Sequence, residues 1–547
     1  MAILAGCGLI YEYLLSHYAG RVLGAIEQVI FSMIGVMIVS MGIGAFVSRI
    51  FKSPFTAFAW LEVIIALCGS TAVLILAGIT ALANIFPSVI AEIFNLPPDL
   101  VPQGGVVSFF QDFAEFVPYI MGFLLGGMIG MEIPLMARIR EKVYDQHLEH
   151  NVGSIYGADY IGAGAGAAIW VWFMLSMDAM TAAVITASIN IVVGLLFYFL
   201  YRQHIRFGSL LLSAHIAVII VIIVIAQYGN QWDAEMEDMM YQDKVIYRMN
   251  TQYQHITVTE RIMNPAKPPV MTLYLNGRTQ FSSADEKIYH SMLVYPAMLA
   301  SARHEKILII GGGDGLALRD VLMWNPQAVT LLDLDKEVID FFSVPIKHQG
   351  KIVNQRLIEL NNKAFSDDRL TIKYGDAFLT VDELLQQEKL FDTIIIDLPD
   401  PSHPDLDKLY SARFYAKCWQ LLAGDGVISI QSTSPYHAKN AFMSIGKTVK
   451  HAGYHSVEQY HHNVPSFGEW GWTIATKNGL SAKQRIAQVA SLPIDDGWVT
   501  KGIMLGAFEF GQHFFDNLAK IKVNRLGSNT IYQYHHQDWE QEQGIFE

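Results

Sequence analysis

A doubly wound α/β domain behind an all-α multi-pass membrane bundle is the fold class that this 547-residue sequence predicts, and three observations predict it. Apolar residues crowd before about residue 230, in runs of roughly 20 or more, the length that crosses a hydrocarbon core of about 30 Å. Beyond that point short β-branched runs alternate with helical patterns, as in a mostly parallel sheet covered on both faces. Glycine-rich and acidic clusters fall at the ends of those runs, where open α/β sheets bind ligands. With 16% charged residues and a mean hydropathy of +0.29, the chain is too apolar for an ordinary soluble protein.

In chain order, about seven membrane helices are predicted over 1–230, at 2–19, 26–50, 57–83, 105–136, 153–175, 178–201 and 208–228. Gly42-Ile43-Gly44 and Gly162-Ala163-Gly164-Ala165-Gly166 are expected to let helices approach closely. Basic residues mark the loops after the second, fourth and sixth segments: Arg49 and Lys52, then Arg138, Arg140 and Lys142, then Arg202 and Arg206. The intervening loops are neutral or acidic (Glu92, Asp99, Asp178), so the basic loops are expected to face the cytoplasm. Seven spans would then carry the second half out of the cytoplasm, although nucleoside cofactors are made inside it. Either a segment is miscounted, the first or the 84–104 connection being the candidates, or the soluble part lies outside; the membrane side stays open. Glu12, Glu132 and Asp159 fall inside apolar segments, where they either line a path for cations or pair within the bundle.

An acidic linker and a small antiparallel β subdomain are expected over 231–282, with strands at 254–259 and 271–275 and a turn at Asn276-Gly277. A helix near 284–301 opens the α/β domain, assigned to 283–480, and a tail over 481–547 packs on it. Its strands are expected at 306–310, 328–333, 370–374, 392–397 and 426–431. The first runs into Gly311-Gly312-Gly313-Asp314-Gly315, whose glycines let backbone approach a cofactor. Phosphate sites exclude carboxylates, so Asp314 inside this loop points to a cationic group rather than a pyrophosphate. Asp333 ends the second strand, where an acid reaches ribose hydroxyls, with Asp335 close behind. Asp376 ends the third and can accept from an adenine amino group. Taken singly, each acid is as readily a cap for the next helix. The fourth strand ends in Asp397-Leu398-Pro399-Asp400-Pro401.

The net charge of −13 disfavours nucleic acid, which needs clustered Lys and Arg, and suits small cations. Only Cys7, Cys68 and Cys418 are present, so neither a disulfide framework nor a thiolate metal site is expected. His461-His462 and His535-His536 lack ligand spacing and are expected at the surface, with no metal.

Taken together, the GGGDG loop, the D-x-x-D-P strand end and the segment Val464-Pro465-Ser466-Phe467-Gly468-Glu469-Trp470-Gly471 resemble the spermidine synthase (polyamine aminopropyltransferase) family over roughly 241–480. The membrane half resembles the multi-pass segment fused to this domain in some bacterial members. The resemblance implies a Rossmann-like nucleoside-binding domain that moves an aminopropyl group from decarboxylated S-adenosylmethionine, a co-substrate, to putrescine, giving spermidine and methylthioadenosine. No permanently bound cofactor is implied. It places Asp397 as the base, with His290, Asp314 and Asp400 on the amine side. Gln254, Gly311, Gly313, Asp333, Asp376, Ala377 and Pro404 fall on the nucleoside side. It also implies that Asp314 repels the extra carboxylate of intact S-adenosylmethionine. Asp333 stands where the family usually has Glu, and Leu398-Pro399 replaces a small polar pair. The implied partners are polyamines and the lipid bilayer of a bacterial cell membrane; a homodimer through the catalytic domain is left open.

Read alone, the glycine loop points more often to a methyltransferase, and the D-x-x-D-P end reverses that. A membrane polyamine transporter or sensor with a non-catalytic synthase-like domain is the alternative from another class. Tyr289-His290 read alone is a packed pair on a helix. Trp470 is expected near the site and Trp472 in the core, and Val523-Asn524-Arg525-Leu526 is expected to pack on the domain.

Overall fold

The computed structural model describes residues 1–23, 26–94, 104–144, 148–175, 177–241, 243–348 and 350–543. The chain divides into two compact units, Met1–Thr257 and Val258–Glu547.

The first unit is a bundle of α1 (Ala2–Leu23), α2 (Ile26–Val47), α3 (Pro54–Ile93), α4 (Val106–Tyr144), α5 (Leu148–Ile169), α6 (Ala179–Tyr201) and α7 (Gly208–Asp238). Each expected segment is helical. Five helical stretches, Val29–Ile50, Pro54–Ile93, Val106–Val143, Ala179–His204 and Gly208–Asp238, are long and apolar enough to cross a membrane, by length and composition. Helix α3 continues to Ile93, into the 84–104 connection, while Asp99 lies outside the described residues.

Small residues pack the bundle only in part as expected. A Cβ on Gly44 would lie 1.9 Å from the Gly127 carbonyl oxygen, and one on Gly162 would lie 2.0 Å from that of Ala2. Gly42 and Gly164 face open space instead. On a helix, residues two apart point to different faces, so one member of each pair meets the neighbour and the other does not.

The bundle's interior holds polar groups. Glu12 and Glu132 are buried, and so is Glu62, whose Oε2 accepts from Asn190 Nδ2 at 3.1 Å. Cys7, Cys68 and Cys418 are free thiols.

A four-stranded sheet in the order β1 (Lys244–Asn250), β2 (His255–Arg261), β3 (Val270–Leu275) and β4 (Arg278–Ser282) contains the unit boundary within β2. Strands β3 and β4 pair antiparallel, with Leu275 opposite Arg278. Asn276 and Gly277 between them both adopt positive φ (50° and 78°), the two-residue turn that suits strand twist.

The second unit continues with α8 (Glu286–Ala300), β5 (Lys306–Gly311), α9 (Leu316–Leu322), β6 (Ala328–Asp333) and α10 (Lys336–Ser343). A ribbon of β7 (Lys347–His348) and β8 (Lys351–Ile352) leads to α11 (Gln355–Leu360), β9 (Leu370–Tyr374), α12 (Ala377–Gln386) and β10 (Phe391–Asp397). Then come α13 (Pro404–Asp407), α14 (Ala412–Leu421), β11 (Leu422–Gln431), α15 (Lys439–His451), β12 (Ser456–Val464) and β13 (Gly468–Thr476). The tail carries α16 (Ala482–Gln488), α17 (Lys501–Gly506) and α18 (Thr530–Gln543).

The main sheet has the order β12-β13-β11-β10-β5-β6-β9. Its five strands from β11 to β9 run parallel, and β13 and β12 close one side antiparallel. Side chains alternate between two cores: Ile307, Ile309, Val329 and Leu331 join one, while Leu308, Ile310, Leu332 and Ile396 join the other. Burial on both faces is why these strands read as unbroken apolar runs. The tail packs on this unit through fully buried Asn524, whose backbone N–H donates to Thr448 Oγ1 at 2.9 Å and whose carbonyl accepts from the Ala412 N–H.

Candidate active site

Parallel strands β5, β6, β9 and β10 end at one edge, and every acid singled out in the sequence stands at or just beyond those ends. Strand β5 enters the glycine loop beside the end of β10, with Gly311 opposite Asp397. A Cβ on Gly311 would lie 2.0 Å from the Asp397 carbonyl oxygen, and Gly311 has φ +81°. The Gly312 N–H donates to that same oxygen at 3.0 Å, which fixes the loop against the catalytic strand. A Cβ on Gly313 would stand 2.8 Å from Asp333 Oδ2, so glycine there leaves room beside the ribose-binding candidate.

Three groups converge beyond these ends. His290 Nε2 lies 4.0 Å from Asp314 Oδ2 and 4.0 Å from Asp397 Oδ2. Tyr289, one position earlier on α8, donates its hydroxyl to Asp397 Oδ1 at 2.8 Å. Neighbouring residues on one helix therefore both address Asp397, which neither alone signals in the sequence.

Behind His290, its Nδ1 meets Glu286 one turn back at 3.1 Å. Glu286 receives both terminal nitrogens of Arg319 at 2.9 and 3.1 Å. Burial alone would lower the pKa of His290, but the hydrogen bond to Glu286 and the charge of Asp314 raise it to about 9. Burial would raise Glu286, yet His290 and Arg319 hold it at about 2. An imidazolium is therefore already seated between two carboxylates.

Those carboxylates are poorly hydrated. Burial raises Asp397 to about 6, against the opposing charge of His290, and raises Asp314 as well. Burial likewise raises Asp333 to about 7; its Oδ1 accepts from the Asp335 N–H at 2.9 Å. Among the described residues, no Lys or Arg pairs directly with Asp314, Asp333, Asp397 or Asp400. The ligand atoms of His290, Asp314 and Asp397 lie within 4.8 Å of one another, a spacing that suits a metal ion or an ammonium. His290, its pKa raised against burial to about 9 by the hydrogen bond to Glu286 and the charge of Asp314, competes with either cation for the two carboxylates.

Asp376 departs from this pattern. It caps α12, accepting from the Phe378 N–H at 2.9 Å, and its other oxygen pairs with Lys408 at 2.5 Å. Two of its lone-pair positions are thus occupied by protein. Ala377 follows as the first residue of α12 and is buried, and Pro404 begins α13. Gln254 lies in the other unit, before β2, where Thr251 Oγ1 accepts its backbone N–H at 3.1 Å.

Asp400 is held by three donors: Gln431 Nε2 at 2.6 Å, Thr433 Oγ1 at 3.0 Å and His535 Nε2 at 3.2 Å. Thr433 has φ +60°, a left-handed conformation that is costly for a β-branched residue and that brings its hydroxyl to Asp400. His535 is buried, at 5% exposure, which corrects the expected surface position of the His535-His536 pair. Its helix α18 folds back over the site, and no spacing in the sequence announces that. His461 is likewise engaged, its Nδ1 meeting Glu469.

Trp470 lies 5.1 Å from Phe467 with the rings inclined by 41° and 6.4 Å from Tyr289, while fully buried Trp472 lies 5.6 Å from Tyr460 and 5.8 Å from the same Tyr289, so both join one core and both border Tyr289. Leu398 packs on the second core, and the Pro399 carbonyl accepts from Tyr410 at 2.8 Å. The substituted pair between the two acids therefore serves the scaffold.

Residues 286–485 match the family model described as the spermine/spermidine synthase domain. A polyamine aminopropyltransferase of Shewanella oneidensis is 53% identical over 545 residues, covering 100% of this chain and 95% of that protein. One of Oceanobacillus iheyensis is 29% identical, covering 98% of this chain and 96% of that one. Among solved structures, spermidine synthase from Thermotoga maritima is similar at 24% identity and a TM-score of 0.42, covering 50% of this chain and 87% of that one.

Proposed function

The chain belongs to the spermine/spermidine synthase family of polyamine aminopropyltransferases, and on that premise we propose that it transfers the aminopropyl group of decarboxylated S-adenosylmethionine to putrescine, releasing spermidine and methylthioadenosine. The observation that carries this reading is the His290, Asp314 and Asp397 cluster, two half-buried carboxylates sharing one buried imidazolium with no Lys or Arg partner among the described residues. Such a site stabilises cations, and both substrates are cationic.

An alkyl ammonium has a pKa near about 10.4, so the acceptor arrives without a lone pair. Asp397 takes its proton. Burial raises Asp397 above the usual carboxylate range, which makes it a stronger base than an exposed aspartate. The freed nitrogen attacks the methylene beside sulfur. As the N–C bond forms, the C–S bond breaks, its electron pair moves to sulfur, and neutral methylthioadenosine leaves. Tyr289 orients Asp397, Asp314 and Asp400 bind amine groups, and Asp333 binds the ribose hydroxyls. Asp376, with one protein donor on each oxygen, Ala377 and Pro404 serve the nucleoside. Asp314 disfavours intact S-adenosylmethionine by repelling its carboxylate. The bundle over 1–230 serves as a multi-pass domain in the cell membrane.

The purified full chain, given decarboxylated S-adenosylmethionine and a panel of diamines, is expected to yield methylthioadenosine and a polyamine longer by one aminopropyl unit. S-adenosylhomocysteine as product would replace this reading with methyl transfer, and amine binding or flux without turnover would favour a transporter or sensor. A chelator is expected to leave the rate unchanged; loss of turnover on chelation and its return with a divalent ion would make the same three ligands a metal site.

A further inference from the structure

We infer that the C-terminal helix α18 is part of the amine site, with His535 as a positioning residue that orients Asp400 toward substrate. This rests on the assignment of Asp400 to the amine side given above. The family model ends at residue 485, whereas α18 spans Thr530–Gln543, so the helix lies outside the matched pattern.

Several contacts dock α18 on its unit. Asp538 accepts from Asn440 at both the backbone nitrogen (2.7 Å) and the side-chain amide (2.6 Å), at the start of α15. Ile531 is fully buried in the second core. Trp539 stacks on His437 with centroids 4.9 Å apart and rings inclined by 11°. One turn of helix separates Ile531 from His535 and another separates His535 from Trp539, so the three line one face, which buries Ile531 and His535 and leaves Trp539 partly exposed.

His535 Nε2 lies 3.2 Å from Asp400 Oδ2 and also 3.2 Å from the Trp539 indole nitrogen. A single ring nitrogen cannot donate to one and accept from the other. A bare Nε2 would set a lone pair against a carboxylate, so Nε2 carries hydrogen and donates to Asp400. A carboxylate offers about four acceptor positions. Gln431, Thr433 and His535 fill three, and His535 and Thr433 both take Oδ2. The open position is left on Oδ1, whose direction is set by the donors on the other oxygen. Without His535 the carboxylate gains rotational freedom, and an incoming ammonium must compensate for ordering it.

Steady-state kinetics of the full chain with the amine and the nucleoside donor varied separately test this. His535→Leu fills the space without a donor, and His535→Gln returns an N–H at nearly the same reach. The expected result is a KM for the amine raised about tenfold in His535→Leu, with kcat and the donor KM little changed, and recovery in His535→Gln to within about threefold of the parent. An unchanged amine KM in His535→Leu, or an equal loss in both variants, overturns the inference. Should His535→Leu fail to fold, Asp538→Ala loosens α18 away from the site; a raised amine KM with a constant donor KM supports the assignment, and an unchanged one overturns it. A parent chain without turnover would sink the underlying functional reading together with the inference, whereas normal turnover with indifferent variants would sink the inference alone.

Discussion

At the level of single residues, the site depends on partly burying acids, of which Asp314 and Asp397 share His290 and have no Lys or Arg partner among the described residues. Asp397→Asn keeps the shape and removes the charge and the basicity. It is expected to lower kcat by about 10²–10⁴ while thermal unfolding stays near that of the parent, measured by methylthioadenosine release; near-parental rates would remove Asp397 as the base. Ionised Asp397 is the active form, so kcat/KM is expected to fall as pH drops through about 6. Cationic substrate beside the carboxylate lowers its pKa again, so the inflection in kcat, which reports the bound complex, is expected below that in kcat/KM. Stability carries the opposite sign. Asp397 and Asp333 are raised on folding from 3.8 to about 6 and 7, so their stabilising contribution is complete below 3.8 and is lost as pH rises through those values. Glu286, lowered to about 2, contributes above 4.5 and loses that contribution as pH falls toward 2. The acids are legible in the sequence because each ends an apolar run. Tyr289, Glu286, Arg319 and His535 are not, because what they do depends on partners 108, 33 and 135 positions away.

At the level of elements, the glycine loop tests how closely β5 must approach β10. Gly311→Ala would place Cβ 2.0 Å from the Asp397 carbonyl oxygen at a φ of +81°. The backbone conformation alone costs about 1–2 kcal/mol, and the clash adds displacement of the catalytic strand. The expected outcome is a lower melting temperature together with lost turnover. Gly424→Ala, on β11, where φ is unstrained and nothing lies within 4 Å of a Cβ, is expected to stay within about 0.5 kcal/mol of the parent. Equal behaviour of the two variants would contradict the assigned role of Gly311. Two strands were readable almost to the residue, 306–310 against Lys306–Gly311, where burial on both faces leaves no polar interruption, and 370–374 against Leu370–Tyr374, an edge strand with Thr371 and Tyr374 exposed that is bounded by the Gly375-Asp376 turn. Strand β11 was placed at 426–431 but begins at Leu422, since Gly424 and Asp425 read as a turn. In the bundle, uniform apolarity makes helices easy to find and their facing hard to assign, which is why Gly44 packs and Gly42 does not.

At the level of the whole molecule, the first unit buries several polar groups among its apolar core and leaves many large apolar side chains exposed. Glu62, Glu132 and Asn190 are at most 2% exposed, while Leu196, Phe199, Leu200, Ile216, Ile220 and Ile223 are each more than half exposed. In water, contiguous apolar surface on this scale would drive association. In lipid it is the expected exterior, and the buried carboxylates avoid hydrocarbon by facing one another's helices. Arg49, Arg138 and Arg202 stand near the C-terminal ends of three of the apolar stretches, the placement expected of basic residues that flank membrane spans. Five helices long and apolar enough to cross a membrane would anchor the chain by burial rather than charge, so the full-length protein is expected to stay in the membrane pellet through both high-salt and alkaline carbonate washes and to be released only by detergent. Release of the intact chain by salt would show a surface attachment through those basic loops, and release by carbonate would show that the apolar exterior of the bundle is covered by something other than lipid.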